Sequence, residues 1–135
     1  MSTSWCGCAP NAAFKLHTMR PVDLAIRLEW ATVAVVGIVL YALSGTSWWL
    51  FALLLLAPDL SALGYLVNVR VGAATYNLVH TQILPAVLLA VGYFSGRQVL
   101  IYLALIWLGH IGLDRLAGFG LKYPTKFQDT HLQRV

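Results

Sequence analysis

The chain is poor in charge. Asp, Glu, Lys and Arg make up 10% of its 135 residues, against 59% hydrophobic residues, whereas a soluble domain carries about 25% charge. An ordinary soluble enzyme or binding domain is thereby excluded, and an integral membrane protein is expected. Acids are scarcest, with five (Asp23, Glu29, Asp59, Asp114 and Asp129) against nine Lys and Arg. Cysteine is nearly absent: Cys6 and Cys8 are the only two, and their Cys-x-Cys spacing fits neither the CxxC of a redox site nor a disulfide. With His17 they form a candidate soft-metal or lipidation site, although an unstructured tail with two incidental thiols is the simpler account and the one expected. The first 20 residues lack the continuous apolar core of a signal peptide, so they read as a loose tail, with Met19 an alternative start. There is no internal repeat and no low-complexity segment.

What the chain has in abundance is apolar run. Four stretches, 24 to 43, 47 to 67, 71 to 94 and 98 to 117, each approach the ~20 residues that a helix needs to cross ~30 Å of hydrocarbon. The connections SGTS, NVR and SGRQ are short, and short connections make neighbouring helices antiparallel. The expected fold is therefore all-α: a polytopic membrane protein with a four-helix up-down-up-down transmembrane bundle. Residues 1–22 form a loosely ordered tail, 23–118 the membrane domain, and 119–135 a cytosolic tail that can fold back as a lid.

Charge position gives the orientation. With the N-terminus inside, Lys15, Arg20, Arg27, Arg70, Arg115, Lys122, Lys126 and Arg134 are cytoplasmic and only Arg97 is outside. This asymmetry follows the positive-inside rule and places both termini at the cytoplasmic face of the inner (plasma) membrane. The basic residues then meet an anionic leaflet, so the lipid bilayer is the partner and no nucleic acid is needed to explain them. Trp48 and Trp49 open the second helix as interfacial anchors. Pro58 and Pro85 should kink helices two and three, freeing the carbonyls of Leu54 and Thr81, and such breaks in lipid require other partners.

The polar residues within the spans carry the chemistry. Glu29, Asp59, His80, His110 and Asp114 are ionisable groups at membrane depth, each expensive there unless paired. Singly, each has a plain explanation: Glu29 facing headgroups, Asp59 capping the segment after Pro58, His80 bonding a neighbouring helix. His110 and Asp114 are the hardest to explain so, because residues at i and i+4 converge on one helix face. Counted from the cytoplasmic ends, all five lie roughly 5 to 14 Å deep at ~1.5 Å per residue. All four helices thus contribute to one inner layer, as in a metal site built in a bundle core.

Three carboxylates and two imidazoles, with no sulfur ligand, suit a divalent metal such as zinc, manganese or iron. The formal charge of −3 suits one ion or two. Asp59, His80, His110 and Asp114 are the candidate metal ligands, and Glu29 is a further ligand or the catalytic base that takes a proton from bound water. Tyr76, Asn77 and Thr81 are candidates for supporting or substrate-facing groups. Arg70, Arg115 and Lys122 are candidate receivers of an anionic group, and Asp129 and His131 candidate lid residues.

The runs RLEW (27 to 30), APDLSALGYLVNVRVGAATYNLVHTQILP (57 to 85) and LGHIGLDRLAGFGLKYPTKFQDTHL (108 to 132) resemble a family of small four-helix bacterial membrane proteins of unknown function. The resemblance covers nearly everything after residue 23 and implies the fold and the membrane location, but no activity. Pro58-Asp59, His80-Thr81, and His110 to Asp114 followed by Gly120 and Pro124 resemble, more distantly, the motifs of membrane-bound metal-dependent hydrolases. Ser61 stands where that family has a second aspartate, and its His-Arg-Gly turn is absent.

Three functions follow as expectations. The first is a metal-dependent hydrolase at the cytoplasmic face, acting on a phosphate ester or lipid headgroup. The second is a module that binds or transports an ion or proton, which in so small a bundle would call for a homo-oligomer. The third is a scaffold whose polar residues are interhelical hydrogen bonds.

Overall fold

The structure is a computed structural model that describes residues 21–125 together with Thr130 and Leu132. The N-terminal tail with Cys6, Cys8, His17 and Met19, and the tail residues Asp129 and His131, lie outside the described residues.

Four spans are long and apolar enough to cross a membrane: Pro21–Leu43, Trp48–Leu66, Val69–Phe94 and Gln98–Ala117. They form the expected up-down-up-down bundle, and the protein is a multi-pass membrane protein. Two of the spans are interrupted, however. The elements are α1 (Pro21–Leu43), α2 (Trp48–Leu55), a 3₁₀ helix (Ala57–Leu66), α3 (Val69–His80), α4 (Ile83–Ser95) and α5 (Gln98–Ala117). The described residues contain no strand, only one antiparallel bridge between Lys122 and Thr130.

The final span is central. In α5, 44% of the membrane window is buried, against 11 to 17% in the other spans: α1, α4 and, over a shorter length, α2 pack on α5, whereas α3 packs mainly on the 3₁₀ helix. Helix α1 packs along it closely enough that a Cβ on Gly112 would stand 2.9 Å from the backbone N of Ala34 and the carbonyl O of Trp30. Only glycine permits that approach. Arg27 reinforces the contact by donating from Nη1 to the Leu116 carbonyl at 3.2 Å. Near the other end, Tyr41, Phe51 and Ile106 are buried together. The Tyr41 ring packs at a 48° tilt against Phe51, 5.0 Å between centroids, and its hydroxyl donates to the Ser47 carbonyl at 2.8 Å, fixing the first turn. Trp49 is 87% exposed, as an interfacial anchor requires, while Trp48 leans on Tyr41 and Phe51. The outward faces carry the apolar side chains that lipid solvates, Leu53, Leu66 and Phe94 among them.

The interruptions follow from proline. Pro58 has no N–H to donate and crowds the carbonyl four residues earlier. With Pro58 in its first turn, the chain tightens into ten residues of 3₁₀ helix, far beyond the three or four that this geometry usually sustains. The Leu54 carbonyl, expected to be freed, receives the Leu56 N–H. This segment packs on α3, where Thr75 Oγ1 donates to the Ser61 carbonyl at 3.0 Å. The third span breaks earlier than Pro85 suggests. Helix α3 ends at His80, Thr81 is extended at ψ 140°, and Pro85 falls in the first turn of α4, where a missing N–H costs nothing. Gly118, at φ 94°, ends α5 in the left-handed region, with its own N–H bonded to the Arg115 carbonyl and that of Phe119 to the Asp114 carbonyl.

Candidate metal centre

The two interruptions and the last turns of α5 meet at one place. Asp59 lies in the first turn of the 3₁₀ helix, His80 is the last residue of α3, and His110 and Asp114 stand one turn apart on α5. One ligand atom from each of the four lies within 4.8 Å of all the others. The two Nε2 atoms are 3.1 Å apart. His80 Nε2 is 3.7 Å from Asp59 Oδ1 and 3.5 Å from Asp114 Oδ2; for His110 Nε2 the same distances are 3.5 and 3.7 Å. A tetrahedral ion bound at ~2.0 to 2.1 Å separates its ligand atoms by about 3.3 to 3.4 Å. The five separations straddle that value.

Other groups hold these ligands in place. Nδ1 of His80 lies 3.0 Å from the Tyr76 carbonyl. A carbonyl only accepts, so Nδ1 carries the proton and Nε2 turns a lone pair toward the centre. The Tyr76 ring stacks on His80 at 3.7 Å and 10°, and its hydroxyl donates to Asp114 Oδ2 at 3.1 Å. Tyr76 thus orients two ligands from two helices. The side chains of His80 and His110 are 2% and 6% exposed, whereas that of Asp59 is 53% exposed. The centre is closed on the histidine side and open at Asp59.

The break after α3 is sealed from α5. Trp107 Nε1 donates to the Val79 carbonyl at 2.8 Å, and Arg115 Nη2 donates to the His80 carbonyl at 3.2 Å. Arg115 also donates from Nη1 to the Phe119 carbonyl at 3.2 Å and lies over the Trp30 ring. Its guanidinium is therefore committed to backbone carbonyls that the break and the end of α5 leave bare. We predict that Trp107→Phe, which removes one such donor while keeping an aromatic ring, lowers stability by about 1 to 2 kcal/mol in denaturant unfolding in micelles.

The remaining candidates separate cleanly. Asn77 grips the backbone of Lys122 from both sides, donating to its carbonyl at 2.8 Å and accepting its N–H at 2.7 Å. The chain after Gly118 is thus drawn back against α3. The Lys122 ammonium rests 4.0 Å from the Tyr76 ring centroid and 5.2 Å from that of Tyr65. Burial pulls its pKa below the ordinary lysine value, while Asp114 and Asp59 pull the other way. Thr81 is half-buried at the break, and Arg70 is exposed. Glu29 is exposed on α1 and is not among the residues that converge. Without it the centre has two carboxylates, and a formal charge of −2 matches a single divalent ion.

Trp107 is a contributor that the sequence alone does not single out. Its signal was its position in the same helix as His110 and Arg115, eight residues or about two turns before the arginine. What could not be read was that a broken helix would end against it.

No curated protein and no solved structure matches the chain. The profile of a domain of unknown function, DUF4260, matches residues 23–135, which include all four converging residues and all but the first two residues of the spans. That match covers most of the chain, and the chain belongs to the DUF4260 family.

Proposed function

We propose that Asp59, His80, His110 and Asp114 hold one divalent ion, zinc, manganese or iron, and that the protein is a metal-dependent hydrolase of a phosphate ester or lipid headgroup. It works at the cytoplasmic face of the plasma membrane, with both termini inside. The observation that carries this reading is the convergence of four ligand atoms, from three separate elements, within 4.8 Å. The oxygen and imidazole set fits these borderline to hard ions and not copper(I).

When bound, such an ion supplies Lewis acidity to the ester oxygen and lowers the pKa of water toward ~7. The chain supplies the rest. His80 and Asp114 are held in register by Tyr76, and the exposed edge at Asp59 admits substrate and water. Lys122 places a positive charge beside the centre. In the overall reaction the oxygen of water bonds to phosphorus, the ester P–O bond breaks, and the proton goes to the leaving alkoxide. Glu29 has no part in this reading, because it does not reach the cluster.

Elemental analysis of purified protein tests it. About one equivalent of a transition metal is expected in the wild type, falling below ~0.2 in His110→Ala while the helical content is kept. Less than ~0.2 equivalents in both proteins sinks the reading.

One observation favours a second reading. Both interrupted spans break at the site, and discontinuous helices build the ion sites of transporters. A transport module would move metal into proteoliposomes; uptake unchanged by Asp59→Asn would exclude it.

A further inference from the structure

The centre stands between two features of opposite character, and α5 sets their order. On one side, Leu54, Pro58, Val79, Leu88, Leu103 and Trp107 line an open cleft of about 320 Å³, within the range of small-ligand sites. Its walls run directly into the ligands: Pro58 precedes Asp59, Val79 precedes His80, and Trp107 lies three residues before His110. On the other side, past the end of α5, is the buried Lys122 ammonium over Tyr76, whose hydroxyl is on Asp114.

The axial order is therefore apolar cleft, ligands, cation. Trp107, on the cleft wall, lies near the middle of the span Gln98–Ala117, and His110 and Asp114 stand about 5 and 10 Å further along at ~1.5 Å per residue. Lys122 follows the last residue of α5. A membrane lipid is built in the same order, with its chain at the bilayer centre, its ester linkages next and its headgroup at the interface. A soluble phosphate ester would have no use for the cleft, and a neutral lipid none for the ammonium.

We infer that the substrate is a membrane lipid with an anionic, phosphate-bearing headgroup. One acyl chain lies in the cleft, and the phosphate reaches the open side of the centre at Asp59 with Lys122 beside it. For its chemistry this rests on the metal-centre reading above; for its geometry it rests on the cleft and the cation.

The test is lipid retention by the purified full-length protein, measured by native mass spectrometry after exposure to phosphatidylglycerol or to phosphatidylcholine with the same chains. Metal content is measured on the same samples. The wild type should hold about one phosphatidylglycerol and prefer it by about tenfold over phosphatidylcholine. Leu103→Trp, which fills the cleft, should lose retention by about tenfold or more, and Leu88→Phe guards against misfolding of the first variant. Val39→Trp, on the outward face where Val39 is 49% exposed, should behave as wild type. Lys122→Met should erase the preference between the two lipids.

Retention in both cleft variants equal to that of Val39→Trp overturns the inference, as does equal retention of the two lipids by the wild type. The expected lipid results in a wild type without metal would leave the lipid site standing and remove the hydrolase reading. Metal without lipid selectivity would do the reverse.

Discussion

Arg115→Met is expected to lower the stability of the folded protein by about 3 to 5 kcal/mol and to weaken metal binding by about 10 to 100-fold. Methionine keeps most of the apolar stem but donates nothing. Two carbonyls, those of His80 and Phe119, then lose their donor. Arg115 is only 6% exposed, and within a bilayer no water replaces a lost donor, so each bare carbonyl costs several kcal/mol before relaxation. The metal effect follows from location. His80 is both the residue whose carbonyl Arg115 caps and one of the four candidate ligands, so a loosened end of α3 displaces Nε2. Denaturant unfolding in mixed micelles reads the first effect and a competitive chelator titration the second. Arg115→Lys should recover part of the stability, since an ammonium reaches one carbonyl but cannot span two. Unchanged chelator titration in a destabilised Arg115→Met protein would show that the break and the centre are not coupled.

Gly112→Val should be at least as damaging to the fold, for a different reason. A Cβ at Gly112 meets the backbone N of Ala34 and the carbonyl O of Trp30, both at 2.9 Å, as well as the Cβ of Ala34. Two of those atoms belong to the backbone of α1 and cannot turn aside, so the helices must separate along their whole contact. Overpacking of this kind costs about 1 to 3 kcal/mol where side chains can yield, and more where they cannot. A loss of roughly 3 kcal/mol or more is expected, with a fall in the yield of monodisperse protein. Gly109, one turn earlier on α5, is the control. A Cβ there meets only Ile38 Cγ1 at 3.9 Å, and alanine has the better helix propensity by about 1 kcal/mol. Gly109→Ala should therefore be neutral or stabilising. Equal effects at both positions would mean that α1 and α5 do not pack as described.

The i, i+4 spacing of His110 and Asp114 was legible because the geometry within one helix is fixed by its repeat. The same holds for Tyr76 and His80, four residues apart on α3. Depth in the membrane was nearly as legible: counting residues from each loop put Asp59, His80, His110 and Asp114 in one layer. Glu29 met the same depth criterion but not the site, because depth says nothing about the direction in which α1 is turned. Arg115 read as a receiver of substrate, whereas it caps the His80 and Phe119 carbonyls. The need for that cap arises only once the third span is known to break after His80 and not at Pro85.

Composition and run length alone therefore determined that this chain lies in a membrane, how many times it crosses, and which side chains share a level. These are one-dimensional properties, set by the cost of polar groups in hydrocarbon and by the rise of a helix. The tertiary structure decided which of those side chains meet, that an apolar cleft opens beside them, and that Asn77 draws Lys122 back over Tyr76. Those depend on how each helix is rotated about its own axis. That rotation is set by close packing between residues far apart in sequence, as at Gly112 of α5 on Ala34 of α1 and at Gly72 of α3 on Tyr65.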